Sequence, residues 1–197
     1  MKRIRQLAGR KHRQRESAFL VQGIQPVWQA VEAGADIDTL VVAPGLLRHP
    51  GAQAMVAAQE SAGVRVARLS DELFGRVADR DVPAGLAAIV RFSSAGLDDL
   101  RAEPGSVFAA LHQVGNPGNL GTVIRTASAV GAAGVITVGP SADPYDPVAV
   151  KASMGALFTV PVAMAPSARE FLAWTAANRV TVVATSGRPV LRAGMPT

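Results

Sequence analysis

Short apolar runs alternate with helix-like stretches along almost the whole chain. Ala18–Gly23 is an apolar run closed by glycine and reads as a strand. Gln25-Pro26 opens a helix that runs through about Ala33, with proline near its first turn and Gly34 at its end. Thr39–Ala43 reads as a buried strand stopped by Pro44-Gly45, and residues 51–62 as an Ala-rich helix ending at Gly63. Val64–Ala67 alternates like a strand, Ser70-Asp71-Glu72 starts a short helix in N-cap style, and Gly85–Val90 is another strand. The stretch 93–105 is polar, with paired serines, two glycines, a proline and an acidic cluster. It predicts a linker between a module at 1–92 and a second at 106–197. In the second module, strands are predicted at 106–111, 134–138, 159–163 and 180–185, with helices at 119–130, 146–154 and 167–178. Such βα alternation predicts an α/β fold, with a mostly parallel sheet covered by helices on both faces. The two halves share a class but no repeated motif.

Composition narrows the picture. The chain has 197 residues, 49% hydrophobic and 18% charged, with mean hydropathy +0.23, enough to bury a core. No apolar run reaches the roughly 18 residues of a membrane span. Met-Lys-Arg-Ile-Arg is followed by no apolar stretch, so a secretory signal is not expected. The absence of cysteine excludes disulfides, thiol nucleophiles and iron–sulfur clusters. His12, His49 and His112 lack metal-ligand spacing, so no metal site is predicted. The expected setting is the cytoplasm.

Charge adds a partner. The net charge is +5, yet residues 1–15 hold Lys2, Arg3, Arg5, Arg10, Lys11, Arg13 and Arg15 and no acid. The remainder of the chain is close to neutral. A basic N-terminal arm on a neutral body suits a polyphosphate partner such as RNA, through counterion release and steering. A solvated basic tail is the plainer alternative. With few apolar residues and no aromatics, the arm does not suit a membrane surface.

The stretch richest in chemistry is Val114-Gly115-Asn116-Pro117-Gly118-Asn119-Leu120-Gly121-Thr122-Val123-Ile124-Arg125-Thr126-Ala127, which follows a predicted strand and opens a predicted helix. Its glycines allow positive φ and close approach. Asn119 is placed to cap the helix. Arg125, one turn after Gly121 on the same face, is placed to hold a phosphate or orient a hydroxyl. Val123, Ile124, Ala127 and Val130 form the face expected to pack on the sheet. The spacing is G-x-x-G-x-x-G, not the Rossmann G-x-G-x-x-G, and no acid stands at a strand end about 20 residues on. Nor is a Walker lysine present.

Asn116–Gly121 followed by Arg125-Thr126-Ala127 resembles the first signature motif of the SpoU/TrmH family, RNA 2′-O-ribose methyltransferases with a trefoil-knotted α/β fold. Asp146-Pro147 and Val150–Leu157 resemble the next segment, with Lys151 where the family usually has arginine. Arg13 with Phe19–Gly23 is similar to the family's ribosomal-protein-like RNA-binding domain, with Gln22 where glutamate is commoner. Pro83–Ala88 resembles the strand that closes that domain. The resemblance covers nearly the whole chain. It implies S-adenosylmethionine as cofactor, Arg125 and Asn119 as catalytic residues, and Thr185, Ser186 and Gly187 at the cofactor. It also implies RNA contacts from Arg3, Arg5, Lys11, Arg13, Arg15 and Lys151, and a homodimer through the knotted domain. Ribosomal RNA is the expected substrate ahead of transfer RNA. The family's last signature, a Gly-Asn-Glu-Gly-like loop, has no counterpart after residue 157. The chain therefore reads as truncated, with an incomplete knot, cofactor binding weak or lost, and an exposed strand edge.

The remaining candidates read plainly. Trp28, Trp174 and the six phenylalanines are expected in the core. His112 is expected in a strand-end hydrogen bond, and Asp143 and Asp146, which flank Tyr145, in helix capping. Two alternatives to the methyltransferase remain: an RNA-binding remnant without catalysis, and a nucleotide-binding oxidoreductase.

Overall fold

The computed structural model describes residues 2–77 and 83–185. Two sheets are built in chain order. The first contains β1 (Ala18–Gln22), β2 (Ile37–Val42), β3 (Arg65–Arg68) and β4 (Leu86–Arg91) in the order β1-β4-β2-β3. It is mixed: β4 runs antiparallel to both β1 and β2, while β2 and β3 are parallel. The second contains β5 (Ala95–Gly96), β6 (Phe108–His112), β7 (Gly134–Val138) and β8 (Val162–Ala165) in the order β5-β8-β7-β6, all parallel.

Period-two patterning buries both faces of the first sheet. Phe19, Val21, Leu40, Val42, Leu86, Ala88 and Val90 pack under α3 (Ile24–Glu32) and α4 (Pro50–Ser61). Val41, Ala87 and Ile89 point the other way, onto Ile4 and Leu7 of the N-terminal segment and Phe74 of α5 (Asp71–Gly75). The basic arm is thus folded, not a tail: it forms α1 (Lys2–Gln6) and α2 (Arg10–Glu16). Ile4 and Leu7 are its anchors, the large apolar residues between Lys2 and Glu16 in a run otherwise read as charge. The Arg3 guanidinium adds ion pairs to Glu16 and Asp38, and Arg91 reaches Asp38 from β4. Hydrogen bonds from Arg3 hold the Glu16 carboxyl below its ordinary value. Burial pushes Asp38 upward, but hydrogen bonds from Arg3, Thr39 and Arg91 outweigh it and leave that carboxyl lowered as well.

The second sheet is layered between α6 (Pro117–Ala129) and α8 (Ala168–Ala177). Leu120, Ile124 and Ala127 of α6 meet Val135, Ala109 and Leu111. On the opposite face Trp174 and Phe171 of α8 meet Ile136, Val138, Ala163 and Phe108, with Trp174 set edge-on to Phe108. Helix α7 (Pro147–Ser153) lies between the two modules, and its Val150 belongs to the core of the first sheet. Phe19, Phe92, Tyr145 and Phe158 gather there, with Tyr145 4.9 Å from Phe19 and stacked on Phe92 at 3.9 Å. Gly155, at φ +93, leaves room for Gln29 of α3; a Cβ there would overlap the Gln29 side chain. The modules read from sequence as linked by a spacer therefore share a core.

Three expected elements differ. Within 93–105, residues 95–96 pair with β8 and Leu97–Asp99 forms a 3-10 turn, so this part of the expected linker belongs to the second sheet. The strand expected at 159–163 is shifted to 162–165, because Ala156–Phe158 turns as a 3-10 helix and Pro161 cannot donate to the ladder. Val180–Thr185 is not a strand. Val182 and Val183 are exposed and no neighbouring strand pairs with them among the described residues, so their β propensity has no ladder to join. Among the described residues no helix is long and apolar enough to cross a membrane.

Candidate functional site

The loop after β6 and the loop after β7 meet at the carboxyl ends of the parallel strands, where α/β sheets place their sites. The Gln113 N–H donates to the Val138 carbonyl at 2.9 Å and the Ala142 N–H to the Val114 carbonyl at 2.7 Å. Gln113 itself takes the left-handed conformation at φ +53, while Gly115, Gly118 and Gly121 do not use positive φ. The turn expected of those glycines is made by another residue.

Helix α6 starts earlier than its pattern suggests. Asn116 is its N-cap: Asn116 Oδ1 accepts the Asn119 N–H at 3.1 Å, with Pro117 in the first turn. Asn119 is therefore capped rather than capping, and its exposed side chain has no hydrogen bond among the described residues. Gly121 faces α7. A Cβ there would lie 2.3 Å from the Ala149 carbonyl oxygen and 2.8 Å from Ala152 Cβ. Gly121→Ala is expected to lower stability by about 1–3 kcal/mol through overpacking against backbone. Alanine's helix propensity, favourable by about 1 kcal/mol, opposes this without cancelling it. Thermal unfolding checks the sign, and a melting temperature at or above that of the parent would refute the close approach.

Asn119, Thr122, Arg125 and Thr126 share the solvent-facing stripe of α6. The threonine hydroxyls back-bond to the carbonyls of Gly118 and Thr122, whereas Arg125 is exposed and makes no hydrogen bond or ion pair among the described residues. The face expected on the sheet is shifted too: Leu120, Gly121, Ile124 and Ala127 are buried, but Val130, at the helix end, is exposed. His112 is exposed at the end of β6 with no hydrogen bond to its ring among the described residues, so the expected strand-end bond is absent.

The residues assigned to RNA divide. Arg5 and Lys11 on the N-terminal helices and Lys151 on α7 are exposed and unpaired among the described residues. Arg15 is exposed beside Glu16 and His12, and Arg3 is partly engaged by Glu16 and Asp38. Arg13 is a correction: it is 1% exposed and unavailable to a phosphate. Its Nε and Nη2 donate to Asp143 Oδ2 at 3.1 and 2.8 Å, and Nη2 also to Asp146 Oδ2 at 3.3 Å. Nη1 donates to the carbonyls of Leu7 and Ala8. All five donor positions are used. The remaining carboxylate oxygens accept from backbone: Asp146 Oδ1 takes the Val148 N–H and caps α7 as expected, whereas Asp143 Oδ1 takes the Tyr145 N–H in the preceding turn and caps no helix. The sequence signal for this lock was Arg13 itself, in a motif read as contacting RNA instead.

Of the residues assigned to the cofactor, Thr185 is exposed and has no hydrogen bond among the described residues, and Ser186 and Gly187 lie outside the described residues. Among the described residues no cluster of metal-ligating side chains occurs.

Comparison with known proteins matches residues 106–193 to the SpoU rRNA methylase family and residues 1–88 to an MRM3-like substrate binding domain. Residues 106–193 are thus a SpoU methylase domain, preceded by an MRM3-like substrate binding domain. It is 30% identical over 188 residues to a 23S rRNA (uridine(2479)-2′-O)-methyltransferase of Streptomyces viridochromogenes, covering 95% of this chain and 63% of that protein. It is 25% identical to the 23S rRNA (guanosine(2553)-2′-O)-methyltransferase RlmP of Bacillus subtilis, covering 80% of this chain and 58% of the relative. Among solved structures, an AdoMet-bound rRNA methyltransferase from Sinorhizobium meliloti superposes with TM-score 0.80 at 34% identity, over 90% of this chain and 65% of that one. The AdoMet complex of the SpoU methyltransferase AviRb from Streptomyces viridochromogenes gives 0.79 at 30% identity, over 90% and 66%. The chain spans about three-fifths of the length of these curated relatives.

Proposed function

We propose that this chain acts in S-adenosylmethionine-dependent methylation of a ribose 2′-hydroxyl in ribosomal RNA. The observation that supports this best is Arg125, exposed and unpaired among the described residues, on the Asn116-capped helix at the carboxyl end of β6, in a chain whose relatives are named 23S rRNA 2′-O-methyltransferases. When bound, the cofactor would supply a methyl group carried on a sulfonium. Arg125 holds a cation where an attacking hydroxyl develops negative charge, and so favours the alkoxide-like state. An RNA phosphate drawn to the same guanidinium is placed to take the proton. The Asn119 side chain, free of the cap, is available to orient the ribose.

RNA is held by the exposed cations of α1 and α2 together with Lys151. Ribosomal RNA, a homodimer through the second module and a cytoplasmic setting belong to the same reading. The test is transfer of labelled methyl from S-adenosylmethionine to 23S rRNA, scored for 2′-O-methylated nucleotides. Absence of transfer with retained RNA binding would favour the non-catalytic alternative. Neutralising Lys2, Arg5, Lys11 and Arg15 together is expected to reduce the slope of log K against log salt by roughly three. An unchanged slope would remove the N-terminal helices from the RNA interface.

A further inference from the structure

A cleft opens between α2 and the loop that follows β7, at the seam of the two modules. Its enclosed part is about 80 Å³ and the rest lies open to solvent, so a ligand seated here stays partly exposed. Its inner wall is apolar and aromatic, made by the stacked Phe92 and Tyr145 rings with Val162 and Ala163 beside them. Arg10 and Gln14, one turn apart on α2, stand at the lip, and Ser94 faces them from the chain entering β5. These side chains have no hydrogen bond or ion pair among the described residues. The same holds for the hydroxyl of the half-buried Tyr145, a group that desolvation and the nearby Asp143 keep in its neutral, donating form. The Asp143 carboxylate is already committed to Arg13 and to the Tyr145 N–H, so it does not compete for Arg10.

We propose that this cleft is a nucleotide subsite, in which Arg10 takes a phosphate and the Phe92–Tyr145 wall takes the base or ribose. The chemistry fits a single unstacked nucleotide: a guanidinium for the phosphate, an amide and hydroxyls for polar edges, and an aromatic surface for the ring. The neighbouring exposed Lys11 and Arg15 on the same helix extend positive charge along the path by which an RNA strand would enter. The proposal rests on RNA being the partner, and names one place where it is held.

Tyr145 is the chain's one tyrosine, so biosynthetic fluorotyrosine gives a single fluorine resonance inside the cleft. Titration with uridine or adenosine 5′-monophosphate is expected to shift that resonance saturably. Arg10→Ala, at an exposed side chain with no partner among the described residues, is expected to weaken the apparent affinity on the order of tenfold while leaving the unliganded spectrum in place. Gln14→Ala should weaken it less. No saturable shift would overturn the subsite. So would an equal response to inorganic phosphate, which would leave the aromatic wall without a role, or an equal response from Arg10→Ala. Displacement of the nucleotide by S-adenosylmethionine would overturn it as well, making the cleft a cofactor pocket. The readout needs no methyl transfer. Binding of 23S rRNA without any change at Tyr145 would reject the subsite and leave the methyltransferase reading standing. A nucleotide shift in a chain that transfers no methyl would do the reverse.

Discussion

Arg125→Ala is expected to lower methyl transfer to rRNA by about 10²–10³-fold, the usual effect of removing one group that stabilises developing charge. The fold should not change. Arg125 is exposed and has no partner among the described residues, and alanine is the better helix former. Thermal melting and RNA affinity are therefore expected to stay close to those of the parent, with the loss carried by the chemical step. Arg125→Lys separates charge from geometry. Lysine keeps the cation but loses the planar fork, so partial recovery would assign the role to charge, and none would assign it to bidentate positioning. Full activity in the alanine variant would remove Arg125 from the chemistry. A loss that tracks RNA affinity alone would make it a binding residue.

The pattern of apolar positions carried most of the fold. Leu40 and Val42 on one face and Val41 on the other reveal a strand buried on both sides, and Leu120, Ile124 and Ala127 recur at helical spacing. What the pattern missed was tertiary. Ile4 and Leu7 sit among seven cations, so a local reading takes the segment for a solvated arm; only the far face of the first sheet makes them core. Ala95-Gly96 is too short to show a period, and becomes a strand because β8 offers an edge. Val180–Thr185 carries the reverse lesson, a strong β propensity with no partner strand among the described residues. At the site, the motif located the right helix and the exposed arginine, but assigned the cap to Asn119 instead of Asn116. Local residue types do not distinguish two asparagines three apart; the register of Pro117 in the first turn does. The glycines were legible as special, yet the reason at Gly121 is the backbone of α7, which no local rule supplies.

The same gap between motif and role explains Arg13, whose loss is expected to cost more stability than that of any other cation in the N-terminal segment. Arg13→Ala removes five hydrogen bonds at once. It leaves the carbonyls of Leu7 and Ala8 unpaired, and two carboxylates facing each other at the seam. Breaking a buried pair typically costs about 3–5 kcal/mol. Asp146 keeps 30% of its side-chain exposure and Asp143 keeps 11%, so solvent softens the penalty and about 3 kcal/mol is the expected loss. Arg5→Ala, at an exposed side chain unpaired among the described residues, should stay within about 0.5 kcal/mol. Chemical denaturation separates packing from charge. If the cost comes from uncompensated carboxylates, adding Asp143→Asn to Arg13→Ala should restore part of the stability; if it comes from lost packing, the two losses should add. The location makes the effect reach further than α2. Asp146 caps α7, and α7 sets the position of α6 through the contact at Gly121. A chain that loses Arg13 should therefore loosen at the seam first. Amide exchange is expected to rise in α7 and the 143–146 loop before it rises in β2 or β4. Unchanged protection there, or a stability loss no larger than that of Arg5→Ala, would show that the buried guanidinium does not hold the two modules together.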